Sequence, residues 1–210
     1  MVRKNILAAL LALALTGCSG ESASVGAPGA FAPVRADSVP APAWSVGSEW
    51  LYSDGYGLKV TRVEGSVTTF QRLDDPTQWV TRRGFLREDA QSGTTLRKLL
   101  YENLPQGAGL SLSTKAPLVY RREYMSGSAQ RAHATSWTVD GRETVKVPAG
   151  EFDCIVLTMR TRNVEDGWTG YERWWFSPVA QNYVRLEYRY GPESSGSRVL
   201  THYRLGAAAR

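Results

Sequence analysis

Between Asn182 and Tyr190 the side chains alternate: Val184, Leu186, Tyr188 and Tyr190 fall on one parity, Arg185, Glu187 and Arg189 on the other. A period of two sends successive side chains to opposite faces of an extended strand, so this segment predicts a sheet with one apolar and one wet face. Leu118, Tyr120 and Tyr124 share a parity in the same way. From Asp153 to Thr161 both parities are apolar, with Ile155, Leu157 and Met159 on one and Cys154 and Val156 on the other. That pattern predicts a central strand covered on both sides. Glu64-Gly65 separates KVTRV from SVTTF, and Asp140-Gly141 separates SWTV from RETVKV, both at hairpin spacing. Asp54-Gly55 and Asp166-Gly167 punctuate further runs. The predicted fold is mainly β: an antiparallel curled sheet of about 10–12 strands, closed as a barrel, half-barrel or sandwich, with at most one or two short helices. One segment departs from the pattern. In TLRKLLYENLP the leucines at 96, 99, 100 and 104 follow helical spacing, Thr94 can cap the start and Pro105 can stop it, which predicts a short helix.

Seven Trp and ten Tyr in 210 residues exclude a uniformly disordered chain, and two Cys are too few for a disulfide scaffold. A polytopic membrane protein built of helices would need apolar runs near twenty residues, and the chain has none. The formal charge of +5 includes Arg3 and Lys4; from Cys18 onward 23 basic side chains face 20 acidic ones. So small an excess, spread over many strand-like segments, makes no continuous basic track, and nucleic acid is not an expected partner.

At the N-terminus, Arg3 and Lys4 precede an apolar run from Ile6 to Leu15, too short to span a bilayer and suited to a secretory signal. The run ends in Leu15-Thr16-Gly17-Cys18. Together these residues resemble a bacterial lipoprotein signal with its lipobox. That resemblance implies a signal peptide over residues 1–17 and diacylglyceration of the Cys18 thiol, which becomes the first mature residue and a lipid attachment point. Two or more acyl chains hold a protein durably at a bilayer surface, each buried methylene contributing about 0.8 kcal/mol. The implied location is the cell envelope, exported and anchored to its membrane. Ser19 stands where the sorting rule of Gram-negative lipoproteins associates Asp with inner-membrane retention, so that rule favours the periplasmic side of the outer membrane.

Residues 19–43 hold 18 Ala, Pro, Ser or Gly among 25 positions, with neither helical nor strand periodicity. With Cys18 they read as a lipidated N-terminus and flexible tether over 18–43, whose random-coil reach is about 25–30 Å. Of 22 aromatic residues only Phe31 precedes Trp44, so residues 44–210 are expected to form one β-rich domain, large enough to stand without metal or disulfide.

In Val147-Pro148-Ala149-Gly150-Glu151-Phe152-Asp153, Pro148 removes a ladder donor and Gly150 allows positive φ, so a corner between strands is predicted there. Later comes Tyr171-Glu172-Arg173-Trp174-Trp175-Phe176-Ser177-Pro178, and the domain opens on Gly47, Trp50 and Tyr52. The set resembles a pattern in uncharacterised bacterial periplasmic and lipoprotein domains, where a VPAG-F corner precedes a strand and a W-[YF]-[SA]-P strand returns beside it. The glycine that follows in that pattern is replaced here by Ala180-Gln181-Asn182. The resemblance implies an envelope location and a β-rich fold akin to lipid-carrying half-barrels, and carries no catalytic residue.

Motifs for chemistry are sparse. His133 and His202 are the only histidines and have no partnering metal-ligand spacing, so neither a metal nor another cofactor is expected. No nucleophile elbow or phosphate loop occurs, and no catalytic residue is assigned. The doublets Asp74-Asp75, Glu88-Asp89 and Glu165-Asp166 read as solvated loop charges rather than a glycosidase pair, and Cys154 as a small buried hydrophobe. The functional hint is aromatic: Trp174 and Phe176 share one strand face, Tyr171 and Trp175 the other. Such rings either fill a core or line a concavity that stacks sugars or holds acyl chains. The expected function is non-catalytic binding of a hydrophobic ligand or envelope component. A structural or assembly lipoprotein touching other envelope proteins is the alternative, and a hydrolase comes third. No feature sets the oligomeric state.

Overall fold

Among the described residues the alternating segments form fourteen strands: β1 (Ser38–Pro40), β2 (Glu49–Tyr52), β3 (Gly57–Glu64), β4 (Val67–Arg72), β5 (Trp79–Arg83), β6 (Leu86–Ser92) and β7 (Thr95–Glu102). The remainder are β8 (Ser111–Ser113), β9 (Leu118–Ser126), β10 (Ala129–Val147), β11 (Gly150–Asn163), β12 (Thr169–Ser177), β13 (Asn182–Tyr190) and β14 (Ser194–Arg204). The computed structural model describes residues 34–207 except 93, 94, 103, 105, 106, 108 and 127, and of 100, 101, 124 and 126 the backbone only. Twelve strands close an antiparallel barrel in which each pairs with the next in the chain, except that β7 pairs directly with β9 and β14 returns to β2. Closure removes the sheet edges that a sandwich would leave exposed.

The central strand is where the sequence puts it. Cys154 through Met159 on β11 are all buried, with β10 on one side and β12 on the other. Glu64 and Val67 pair across the two-residue turn that begins at Gly65, and Val147 pairs with Gly150 across Pro148-Ala149, so the expected reversals occur at both places. After the second turn Phe152 enters the core.

Three expectations are corrected. The helix predicted around 94–105 is strand β7, as far as its residues are described; Thr94 and Pro105 lie outside the described residues. Arg97 pairs with Ala90 of β6, and Leu99 with Tyr124 of β9, so ladder hydrogen bonds on both sides override local helical preference. Leu96 is 43% exposed and Leu99 9%, the outcome of a period of two. Asp140-Gly141 is not a hairpin turn. β10 runs straight through it, with a bulge between Val139 and Gly141 that bends a 19-residue strand.

The third concerns the tether. In its described part, Val39 of β1 pairs with Leu112 of β8, both about 1% exposed, and the Ala41 N–H donates to the Leu110 carbonyl at 2.8 Å. A three-residue strand gains little from its own ladder; the burial of Val39 in the main apolar cluster holds it there. Residues 38–43 thus belong to the folded part. This β1–β8 pair lies against the β5–β6 turn, where the Phe85 N–H donates to Gly109.

The core gathers at one level of the barrel. Trp50 is wholly buried, Tyr52 stacks on Tyr183 with centroids 4.8 Å apart, and Trp44 meets Phe70 edge-on at 4.8 Å. The Trp44 and Trp50 indoles donate to the carbonyls of Gln181 and Ala180, each at 2.7 Å. These bonds pin the turn where the motif's glycine is missing. Gln181 adopts φ 55, and is the one non-glycine with positive φ among the described residues.

Candidate functional site

The other level of the barrel is hollow. Arg131 near the start of β10, Asn163 at the end of β11, Tyr190 at the end of β13 and Ser194 at the start of β14 lie at one end of the barrel. They open on a cavity of about 610 Å³ whose inner wall includes Phe85, Trp137, Trp174 and Tyr183. This is the size of a small-molecule site.

Among the described residues six arginines line this lumen: Arg82 from β5, Arg87 from β6, Arg97 from β7, Arg122 from β9, Arg131 from β10 and Arg198 from β14. Among the described lining residues the one carboxylate is Glu172 of β12. Glu172 accepts hydrogen bonds from the Trp174 indole at 2.7 Å and from the Tyr190 hydroxyl. Burial alone would push its carboxyl up. Arg87, the Tyr190 hydroxyl, Arg82 and the Trp174 indole together outweigh burial and hold it below the ordinary glutamate value, so it is ionised.

Two arginines have their charge answered outside the cavity. Arg198 pairs with Asp54 at 3.0 Å and lies 4.0 Å from the Tyr56 ring centroid; Arg131 pairs with Asp166 at 3.0 Å. Arg82 is buried, its guanidinium 4.9 Å from the Trp174 ring centroid. The register places Arg82 directly across from Arg87, and Arg122 directly across from His133. His133 stacks on Trp168 at 5.5 Å. Its pKa is lowered, first by burial and next by Arg122. Trp168 can lie there because Gly191 and Gly170 leave it room: a Cβ would come within 2.8 Å of its ring at Gly191 and 2.9 Å at Gly170.

The fold is shared with a solved structure of a hypothetical lipoprotein. The hypothetical lipoprotein YmcC of Escherichia coli superposes with a TM-score of 0.52 at 9% identity, over 78% of this chain and 85% of that one. A candidate exported protein of YmcC-like fold from Bacteroides fragilis gives a TM-score of 0.43 at 13% identity, over 79% and 99% of the two chains. A candidate lipoprotein from Parabacteroides distasonis gives 0.42 at 15%, over 78% and 97%. No protein-family model and no curated protein matches the chain.

The aromatic residues singled out in the sequence are divided by the structure. Trp174 lines the lumen, and Phe176 packs edge-on against Phe85 at 5.5 Å within the core. Trp175 is on the outer face, donating to Glu143 at 2.6 Å beneath the Arg185 guanidinium at 4.4 Å. Tyr171 borders a separate groove on the outside of β9–β14, beside Arg160 and the exposed Val119. The lipobox residues Leu15, Thr16, Gly17 and Cys18 lie outside the described residues.

Of the acidic doublets, Asp74-Asp75 and Glu165-Asp166 are in turns, whereas Glu88-Asp89 is on β6, with Glu88 paired to Arg83 at 2.7 Å. Cys154 is buried, its thiol pushed up to about 12 by burial and by Glu143 and Asp153. It is an inert core side chain.

The arginines were missed by sequence reasoning. A signal was present in Arg82-Arg83 and Arg121-Arg122: adjacent residues of a strand face opposite ways, so one arginine of each pair must point into the barrel.

Proposed function

We propose that this protein is a lipid-anchored envelope lipoprotein, tied to the membrane through Cys18, whose barrel is a non-catalytic binding module with its site in the lumen. The observation that carries the reading is the cavity of about 610 Å³, which the large aromatic side chains border instead of filling. A barrel of purely structural purpose would gain stability by packing that space, because dispersion contacts are lost along every unfilled wall. The ligand is an envelope molecule with an apolar part, able to lie against Trp174, Trp137 and Phe85. Glu172 is locked as an ion by two hydrogen-bond donors and neighbouring arginines, and is poorly suited to moving protons, which favours binding over hydrolysis. The lipobox, together with the fold held in common with a hypothetical lipoprotein, supports the envelope location.

Two measurements test the reading. Cys18→Ala is expected to release the protein from the membrane fraction and to remove its acyl mass; retention on the membrane would refute the anchor. Native mass spectrometry of gently purified protein is expected to show a bound small molecule that Trp174→Ala sheds. A lumen empty in every preparation, with no change in thermal stability on adding envelope extract, would refute lumenal binding.

A further inference from the structure

Basic side chains predominate over acidic ones in the lining of the lumen. Six guanidinium groups line it, and among the described lining residues the one carboxylate is Glu172. Like charges directly opposite on neighbouring strands are destabilising, yet Arg82 faces Arg87 across the β5–β6 ladder. Asp54 and Asp166 pair with Arg198 and Arg131, and Arg82, Arg87 and Arg122 reach the lumen from β5, β6 and β9. Arg87 and Arg122 approach from different strands and both act electrostatically on Tyr120 and on Tyr190, so their charges converge on one region of the lumen. Arg82 is held in place against Trp174, which reduces the ordering a ligand must impose.

We infer that the lumen binds an anion with an apolar body: a phosphate-type oxyanion held by Arg82, Arg87 and Arg122, joined to a group that packs on Trp174, Trp137 and Phe85. Guanidinium groups match the oxygen geometry of phosphate and carboxylate, and an aromatic wall of low dielectric constant beside them strengthens the attraction relative to open water. The inference rests on the lumen being the binding site and adds the charge of what enters it. Glu172, fastened to its own wall by Trp174 and Tyr190, acts as the internal counter-charge that keeps the arginines tolerable before the ligand arrives.

The test uses the full lipidated protein in phosphatidylcholine nanodiscs and three probes: 1-naphthyl phosphate, uncharged 1-naphthyl glucoside, and inorganic phosphate. Calorimetry is expected to show naphthyl phosphate binding at least about tenfold more tightly than either of the others. Arg87→Gln and Arg122→Gln should each weaken it about tenfold or more and leave naphthyl glucoside unchanged, since a charged hydrogen bond is lost in each. Equal affinity for naphthyl phosphate and naphthyl glucoside would overturn the anion and keep the lumen as a binding site. Inorganic phosphate binding as tightly as naphthyl phosphate would overturn the apolar body. With His133 and His202 the only histidines, imidazole NMR gives a second readout in the unmutated protein. Naphthyl phosphate should shift the His133 signals and leave those of His202 in place; no movement at His133 would overturn the site. Failure of all three probes, in protein that also purifies without ligand, would overturn lumenal binding itself.

Discussion

At one level of the barrel interior, Trp44 and Trp50 donate to the backbone carbonyls of a turn and Tyr52 lies flat on Tyr183. At the other, the Trp174 indole donates to a buried carboxylate while an arginine rests over its ring, and two pairs of basic residues face each other across the ladders. The same kind of side chain closes a core in the first case and walls a charged cavity in the second. The packed level removes apolar area from water and pairs its indole donors. The hollow level leaves space unfilled and like charges opposed. Departures of that kind concentrate where a protein has a ligand to hold.

The contrast can be broken by mutation. The largest effect is expected at the packed level: Trp50→Ala should cost about 3–5 kcal/mol in chemical denaturation, because it opens a cavity and orphans the Ala180 carbonyl. Trp174→Ala borders space that already exists and should cost distinctly less; equal losses would abolish the distinction between the levels. Next comes Glu172. Its folded carboxyl lies below the ordinary value of 4.5, so its contribution is present above that pH and is lost as pH falls through the folded value. The unmutated protein should therefore lose stability in acid from about pH 4.5 downward, and Glu172→Gln should be destabilised at neutral pH and flatten that part of the profile. An unchanged profile would remove Glu172 from its role as counter-charge.

Smaller effects sharpen the comparison. The Nε of Arg122 is buried without a hydrogen-bond partner, and its guanidinium stands opposite His133. Arg122→Met should raise stability by up to about 1 kcal/mol and raise the His133 pKa, followed by denaturation and by NMR titration. A loss of stability would mean that the arginine serves the fold. Smallest of all, Gln181→Gly should stabilise by about 0.5–1 kcal/mol, relieving the positive φ while keeping both Trp bonds to the turn. Destabilisation there would show that the left-handed residue costs nothing.

Much of the architecture was legible beforehand. Alternation in β13, the doubly apolar run of β11 and the turns at Gly65 and Gly150 are local signals, and each kept its meaning in the folded chain. The misreadings share a cause. The helical leucine spacing of β7, the hairpin expected at Asp140-Gly141 and the Ala/Pro/Ser/Gly composition around Val39 were all settled by partners distant in sequence: β9 for the first, β11 for the second, β8 for the third. The candidate site was least legible. Its six arginines come from six strands, and only closure of the barrel turns them toward a common centre.

By itself the sequence determined that the chain is an antiparallel β protein, because a period of two and two-residue turns are properties of neighbouring residues. The signal and lipobox are legible at the same local level, as a resemblance. Which faces of the strands meet, which of two adjacent arginines points inward, and that Trp174 and Trp175 serve opposite sides of one wall were decided by the tertiary structure. A strand defines two faces but cannot say which becomes the inside until the last strand pairs with the first.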